Sequence, residues 1–326
     1  MKKGLVFGKF LPLHKGHIAL IEFALRHCDL LYVIICFSEI EPIDHIIRER
    51  WLHKVLEKHS NAHLVSFGYD EKLLPNTSVS SKEVSQAWAQ AFKKLLPDAN
   101  IIFTSQPYGE YVAQYMGIDH LSFDEQRNIV PVSATQIRND PFKYWDFIPE
   151  HARYWFVKKI VLVGTESTGK SVLAEKLARF FNTTYVPEMA REIVETTSTC
   201  TFDDLRQIAE LHASAIYEKS LIANKILIAD TDITITKSYS LFLFQKELVV
   251  DPWVEDANRF DLYLFLEPDC GYVQDGTRLS QSERARLSDH HKAVFDRAGI
   301  SFVSIYGDWE ERFQQAKQLI KKIFLV

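Results

Sequence analysis

The four cysteines of this sequence, Cys28, Cys36, Cys200 and Cys270, are never spaced as CxxC. That spacing argues against a thiolate metal site and against the disulfide framework of a small secreted domain, so reduced thiols in a cytoplasmic protein are expected. Long apolar runs are also missing. The longest, Leu30 to Phe37, is far short of the roughly 20 residues that span a bilayer. Met1-Lys2-Lys3 followed by Gly-Leu-Val-Phe superficially copies a signal peptide, but Gly8, Lys9, His14 and Lys15 interrupt any apolar stretch. Nor is there a basic excess: 38 Lys and Arg against 43 Asp and Glu give a net charge of −5, which argues against attachment to nucleic acid or anionic lipid by bulk charge and leaves only a local basic cleft open. Internal repeats and low-complexity tracts are absent. The expected partners are therefore small molecules, with no nucleic acid and no membrane insertion, while a homo-oligomer is left open.

The chain is 326 residues long, enough for about two domains at roughly 150 residues each. With 47% hydrophobic and 25% charged residues, its composition is that of ordinary globular domains. Gly4–Phe7, Leu30–Phe37, His63–Phe67 and Ile101–Thr104 read as strands, and His17–Arg26, Arg48–His59 and Lys82–Leu95 as helices. This βαβ alternation predicts a parallel sheet. A second series starts at Lys159–Gly164 and continues through strands at Thr183–Val186, Ile226–Ala229, Leu262–Leu266 and Ser301–Ile305. The predicted fold is α/β, with two doubly wound parallel-sheet domains over residues 1–150 and 151–326. Between them, Pro141, Pro149 and the rings of Tyr144, Trp145, Phe147, Tyr154, Trp155 and Phe156 read as a packed connector, with an aromatic ligand platform as the sharper alternative.

The segment Gly8-Lys9-Phe10-Leu11-Pro12-Leu13-His14-Lys15-Gly16-His17 follows the first strand and opens a helix, where an α/β sheet presents ligands. Two imidazoles three residues apart can donate to phosphate oxygens, Gly16 lets the backbone approach closely, and the helix start adds partial positive charge. Alone, such a turn is compatible with local capping. Val132-Ser133-Ala134-Thr135-Gln136-Ile137-Arg138 is read as a short strand leading into a helix start. It offers hydroxyls, backbone amides and a guanidinium to a triphosphate, although by itself it is also an ordinary N-cap.

Gly164-Thr165-Glu166-Ser167-Thr168-Gly169-Lys170-Ser171 matches G-x-x-x-x-G-K-[ST] between an apolar strand and the helical pattern Val172–Phe180. Backbone amides there would cradle phosphates, Lys170 would reach the β and γ oxygens, and Ser171 would ligate magnesium. Asp230-Thr231-Asp232 closes the apolar run Ile226–Ala229, where one carboxylate would orient the metal. Glu188, with Arg191 three residues on, could accept a hydroxyl proton, a surface ion pair at helix spacing being the alternative. Asp275-Gly276-Thr277-Arg278, followed by Arg284 and Arg286, reads as a lid that brings arginines to transferring phosphate.

The first two motifs together resemble the GxFxPxHxGH and S-x-T-x-I-R signatures of adenylyltransferases with a class I tRNA-synthetase type of nucleotide site. The resemblance implies that Lys9, His14, His17 and Arg138 handle the ATP phosphates, that Ser133 and Thr135 assist, and that Gly8, Phe10 and Gly16 belong to the nucleotide loop. Magnesium would ride on the triphosphate. An adenylyltransferase followed by a P-loop kinase is similar to the NadR-type family, a nicotinamide-nucleotide adenylyltransferase joined to a ribosylnicotinamide kinase. Arg48-x-Arg50-Trp51, Ser105-Gln106-Pro107-Tyr108-Gly109 and the connector Pro141 to Pro149 share in that resemblance.

The family resemblance implies that nicotinamide riboside is phosphorylated to NMN in the second domain and that NMN is joined to AMP in the first, giving NAD. Aromatic faces are expected on the cationic pyridinium, with Trp88 as candidate in the first domain and Trp253 and Tyr272 in the second, core packing being the alternative for each. Arg191 and Asp232 are further substrate-binding candidates, and the kinase base is left between Glu188 and the Asp230/Asp232 pair. Because the first strand begins directly after Met1, the DNA-binding helix-turn-helix of some relatives, and repression with it, is not expected. Two other readings stay open: another adenylyltransferase paired with a deoxynucleoside-type kinase, and a nucleotide sensor regulating a partner such as a riboside transporter.

Overall fold

A computed structural model describes residues 1–75, 81–194, 200–269 and 281–325. The described chain forms two compact units, Met1–Arg153 and Tyr154–Val326. The N-terminal unit contains β1 (Lys3–Gly8), α1 (Lys15–Leu25), β2 (Leu30–Phe37), α2 (His45–Leu56), β3 (Ala62–Gly68), α3 (Lys82–Leu95), β4 (Ile101–Thr104), α4 (Tyr108–Met116), β5 (Asp119–Ser122), α5 (Ala134–Asn139) and α6 (Glu150–Arg153). Its sheet runs β3-β2-β1-β4-β5, every pairing parallel. The C-terminal unit contains β6 (Lys158–Val163), α7 (Lys170–Phe180), β7 (Tyr185–Val186), α8 (Ala190–Ile193), α9 (Phe202–Ile222), β8 (Ile226–Asp230), α10 (Ile233–Phe244), α11 (Pro252–Ala257), β9 (Leu262–Leu266), α12 (Gln281–Arg297), β10 (Val303–Ile305) and α13 (Trp309–Phe324). Its parallel sheet runs β10-β9-β6-β8-β7.

The central strands read as unbroken apolar runs because helices cover both of their faces. In β2, Leu31, Val33, Ile34 and Ile35 are fully buried, and Ile34 joins Leu5, Phe92, Ile102 and Val112 in one core cluster. Truncating Phe92 there to alanine would cost about 3–5 kcal/mol, the usual value for a buried ring. Strand order reverses beside β1 in one sheet and beside β6 in the other. The loops following those two strands therefore open at the crevices where such sheets bind ligands.

Three readings of the sequence need correction. No strand precedes Ser133: residues 123–133 are irregular, and the fifth strand is β5, eleven residues upstream of it. Its sequence Asp-His-Leu-Ser carries no β-branched residue, so edge pairing to β4 rather than propensity makes it a strand. The strand expected at Thr183–Val186 is only Tyr185–Val186, because Thr183 spends its hydroxyl on the Ile226 carbonyl at 2.5 Å. The helix expected from Arg48 starts at His45, capped by the Asp44 carboxylate, which accepts from the Ile46 amide at 2.8 Å. In the connector, Trp145 is buried within the N-terminal unit, while Trp155 is exposed in the other. Cys270, Tyr272, Asp275, Gly276, Thr277 and Arg278 lie outside the described residues.

Candidate active sites

In the N-terminal unit the loop after β1 ends on His14, the N-cap of α1, whose Nδ1 accepts from the Gly16 amide at 3.1 Å. That acceptor role puts the ring proton on Nε2. His14 stacks on His17 with centroids 3.7 Å apart, and Phe10 meets His17 edge-on at 5.0 Å. A side chain at position 16 would begin 2.9 Å from the His14 ring, so glycine is what allows the stack. Burial pushes His14 down to about 3 and His17 well below its usual value, with Arg127 adding to both. Both rings are thus neutral hydrogen-bond donors near pH 7, and the buried His17 Nδ1 has no partner.

Arg138 on α5 donates to the Leu11 carbonyl and, at 3.1 Å, to Thr135 Oγ1. It fastens α5 to the histidine loop. Ser133 is the N-cap of α5 in a capping box: it accepts from the Gln136 amide at 3.2 Å and donates to Gln136 Oε1 at 3.0 Å. Its hydroxyl is therefore used locally, as capping demands. Lys9 is engaged as well, pairing with Glu41 at 2.8 Å and Glu71 at 3.4 Å, while buried Arg48 pairs with Glu41 and donates to the Lys9 carbonyl at 2.6 Å. Burial opposes the Lys9 charge, but the Glu41 and Tyr69 contacts outweigh it and raise the pKa.

Two clefts flank this loop. One of about 200 Å³ is lined by His14, His17, Gln106, Arg127, Ser133 and Thr135. The other, about 110 Å³, is lined by Gly8, Lys9, Cys36, Tyr69, Trp88 and Tyr108. Trp88 fits both of its readings: it packs edge-on against Tyr69 at 4.8 Å at the margin of the core and also walls the smaller cleft. Sequence reasoning missed Glu41 and Arg127, neither of which lies in a motif. Arg127 is set by Asp124, whose carboxylate accepts from the amides of Asn128, Ile129 and Val130 at 2.7 to 3.0 Å.

In the C-terminal unit the loop after β6 is closed on itself. Lys170 Nζ donates to the Thr165 carbonyl at 2.9 Å, and the Thr168 hydroxyl donates to the same oxygen at 2.8 Å. Gly169 has φ of +82° and its Cα lies against the Trp309 ring, so no other residue fits there without strain. Arg284 on α12 donates to the Ser167 carbonyl at 3.4 Å, and Arg312 on α13 donates to the Thr168 carbonyl at 3.2 Å. Arg284 thus meets the loop, whereas Arg286 sits on the exposed face of α12. Arg312 was not singled out by any motif, since the sequence does not say that α13 returns to the loop.

Asp230 ends β8 fully buried, and neither of its carboxylate oxygens has a hydrogen-bond partner of normal geometry, although the Ser171 hydroxyl lies beside them. Burial pushes it up to about 6, with Glu188 adding and Lys170, Ser171 and Arg191 opposing. Arg191 pairs with Glu188 at 3.2 Å and donates to Ser171 Oγ at 3.1 Å. Lys170, Ser171, Glu188, Arg191 and Asp230 therefore form one group. Asp232 serves the backbone instead, because its Oδ1 caps α10 by accepting from the Ile235 amide at 3.0 Å. Among the described residues no hydrogen bond or ring contact ties exposed Trp253 to the loop. No cluster of three or more His, Cys, Asp or Glu among them could cage a metal alone. The orphaned Asp230 oxygens beside Ser171 nevertheless suit a hard cation that also binds phosphate oxygens.

The chain is 30% identical to the trifunctional NAD biosynthesis/regulator protein NadR of Escherichia coli (strain K12), over 98% of this chain and 83% of that protein. The matching protein of Salmonella typhimurium (strain LT2) gives 30% identity over the same shares. The chain belongs to the NadR family. Residues 159–312 also match an AAA domain family model. Two solved NadR structures, one in complex with NR and one with NAD and AMP-PNP, superpose with TM-scores of 0.80 and 0.79 at 22% identity. Each covers 100% of this chain, and the chain covers 96% of each. At that identity the NadR structures show the shared fold of two parallel-sheet units. No helix among the described residues is long and apolar enough to cross a membrane.

Proposed function

We propose that this NadR-family chain is a bifunctional transferase of NAD biosynthesis: residues 151–326 carry a kinase that phosphorylates nicotinamide riboside, and residues 1–150 carry an adenylyltransferase that converts the product to NAD. The observation that carries this reading is the presence, in one chain of this family, of two loops of different construction that each suit an anion, the neutral His14/His17 pair and the Lys170 loop with its adjoining acids.

In the kinase, loop amides, Lys170 and Arg284 hold the triphosphate of ATP. The riboside 5′-hydroxyl attacks the γ-phosphorus, the bond to the β-phosphate oxygen breaks, and ADP leaves. Glu188, partly exposed and steadied by Arg191, accepts the hydroxyl proton. Asp230 and Ser171 would hold Mg²⁺, which would neutralise charge on the phosphate oxygens. In the adenylyltransferase, the NMN phosphate oxygen attacks the α-phosphorus of ATP in line and pyrophosphate leaves, so no covalent enzyme intermediate forms. His14, His17 and Arg138 supply donors to the phosphates, and Lys9 adds charge once drawn from Glu41. The larger cleft takes ATP, and the smaller one takes the pyridinium against Trp88, a contact worth about 0.5–2 kcal/mol.

The test is to incubate the chain with MgATP and nicotinamide riboside and to resolve the products by chromatography. NMN followed by NAD is expected. Turnover of deoxynucleosides in place of the riboside would support the rival kinase, and turnover of nothing would support a sensor.

A further inference from the structure

The kinase reading assigns the phosphates of ATP to the loop after β6 but leaves the base without a seat. We infer that Trp309 is the platform on which the purine of that ATP stacks. The proposal rests on the proposed kinase site and extends it to the other end of the nucleotide. The transferring phosphate is fixed by Lys170, Ser171, Glu188 and Asp230, and Asp230 lies on β8, on one side of β6. β9 and β10 lie on the other side, and α13 follows β10. A triphosphate whose γ end points at the acids must send its base away from them, past the first turn of α7 and toward α13.

At that corner the protein exposes apolar surface and keeps it rigid. Trp309, the first residue of α13, is 55% exposed although its ring rests on Gly169, and Val172 in the first turn of α7 and Tyr306 at the start of the β10–α13 loop are 68% and 52% exposed. Several contacts hold the tryptophan in place. Asp308 caps α13 in a capping box with Glu311. Arg312 donates to the Gly307 and Glu267 carbonyls at 2.8 Å and pairs with Asp269. Lys176 on α7 pairs with Glu310 on α13 at 2.6 Å. A rigid, open indole beside a phosphate loop loses little order on binding a flat base, and stacking of this kind is worth about 1–3 kcal/mol.

The test compares MgATP with inorganic tripolyphosphate, which carries the phosphates without the base, by calorimetry on the full chain carrying His17→Ala to silence the first site. Adding Trp309→Ala should weaken ATP binding about 5- to 150-fold and leave tripolyphosphate binding unchanged, which also shows that the loop is intact. Trp309→Phe, which keeps an aromatic face, should stay within about threefold of the parent for ATP. Equal losses for both ligands would mean that Trp309 only packs the loop, and an unchanged ATP affinity would mean that the base lies elsewhere. Either result overturns the inference. Failure of the parent chain to phosphorylate nicotinamide riboside would instead count against the kinase reading, because the binding comparison needs no acceptor.

Discussion

The loops after β1 and after β6 occupy the same place in two parallel sheets and, as the two proposed phosphate sites, are built by opposite means. The first is built from side chains: two stacked imidazoles kept neutral by burial, with Arg138 reaching across from α5. The second is built from backbone: its carbonyls are tied down by Lys170, Arg284 and Arg312, and a glycine at φ +82° turns the chain into the helix. Topology fixes where an anion site arises, but not whether side chains or amides form it. The histidine loop should therefore be sensitive to loss of a ring, and the P-loop to gain of a methyl group.

The comparison breaks most visibly in paired substitutions. Lys170→Ala should lower riboside phosphorylation at least about a hundredfold while adenylylation of NMN continues. His17→Ala should lower adenylylation by a similar factor and spare the kinase. Separate assays with riboside and with NMN check both, and loss of both activities in each variant would defeat the assignment of two independent sites. A smaller effect is expected at Gly169→Ala, where the positive φ and the Trp309 contact should cost about 2 kcal/mol of stability or more, read by denaturant unfolding together with reduced kinase activity. Native-like unfolding of Gly169→Ala would show that the glycine is not required by the turn.

An effect of opposite sign is expected at Asp230, whose buried carboxyl is pushed up to about 6. Above that pH it is ionised in both the folded and the unfolded chain, and burial of the charge penalises the fold. Below an unfolded value of about 3.9 it is neutral in both, and the penalty disappears. Asp230→Asn should therefore stabilise the ligand-free protein by on the order of 3 kcal/mol at pH 7.5, with the gain shrinking to nothing by about pH 3, while the kinase is lost. Unfolding midpoints measured across pH decide it: destabilisation at pH 7.5 would show that Asp230 is held by contacts rather than strained by burial.

The two loops also differ in how far they could be read from sequence. The strand-loop-helix setting of the P-loop was legible because its motif is written in consecutive residues between an apolar strand and a helix, and β2, β4, β8 and β9 were legible because apolar runs announce buried strands. What assembles around the loops was not. Arg127, Glu41 and Arg312 reach their positions through tertiary folding: Arg127 by the turn that Asp124 holds, Glu41 by pairing with Arg48, and Arg312 by the return of α13 to the loop. Ser133 and Asp232 fell within recognisable patterns, yet each carries a helix cap, because a hydroxyl or carboxylate ahead of a helix serves the backbone as readily as a ligand.

The central claim is that one chain holds two ATP sites built in these two ways. Calorimetric titration of the full chain with MgATP should find two equivalents per chain, and Lys170→Ala and His17→Ala should each remove one. A single equivalent in the parent chain, or the same equivalent lost in both variants, would contradict the account.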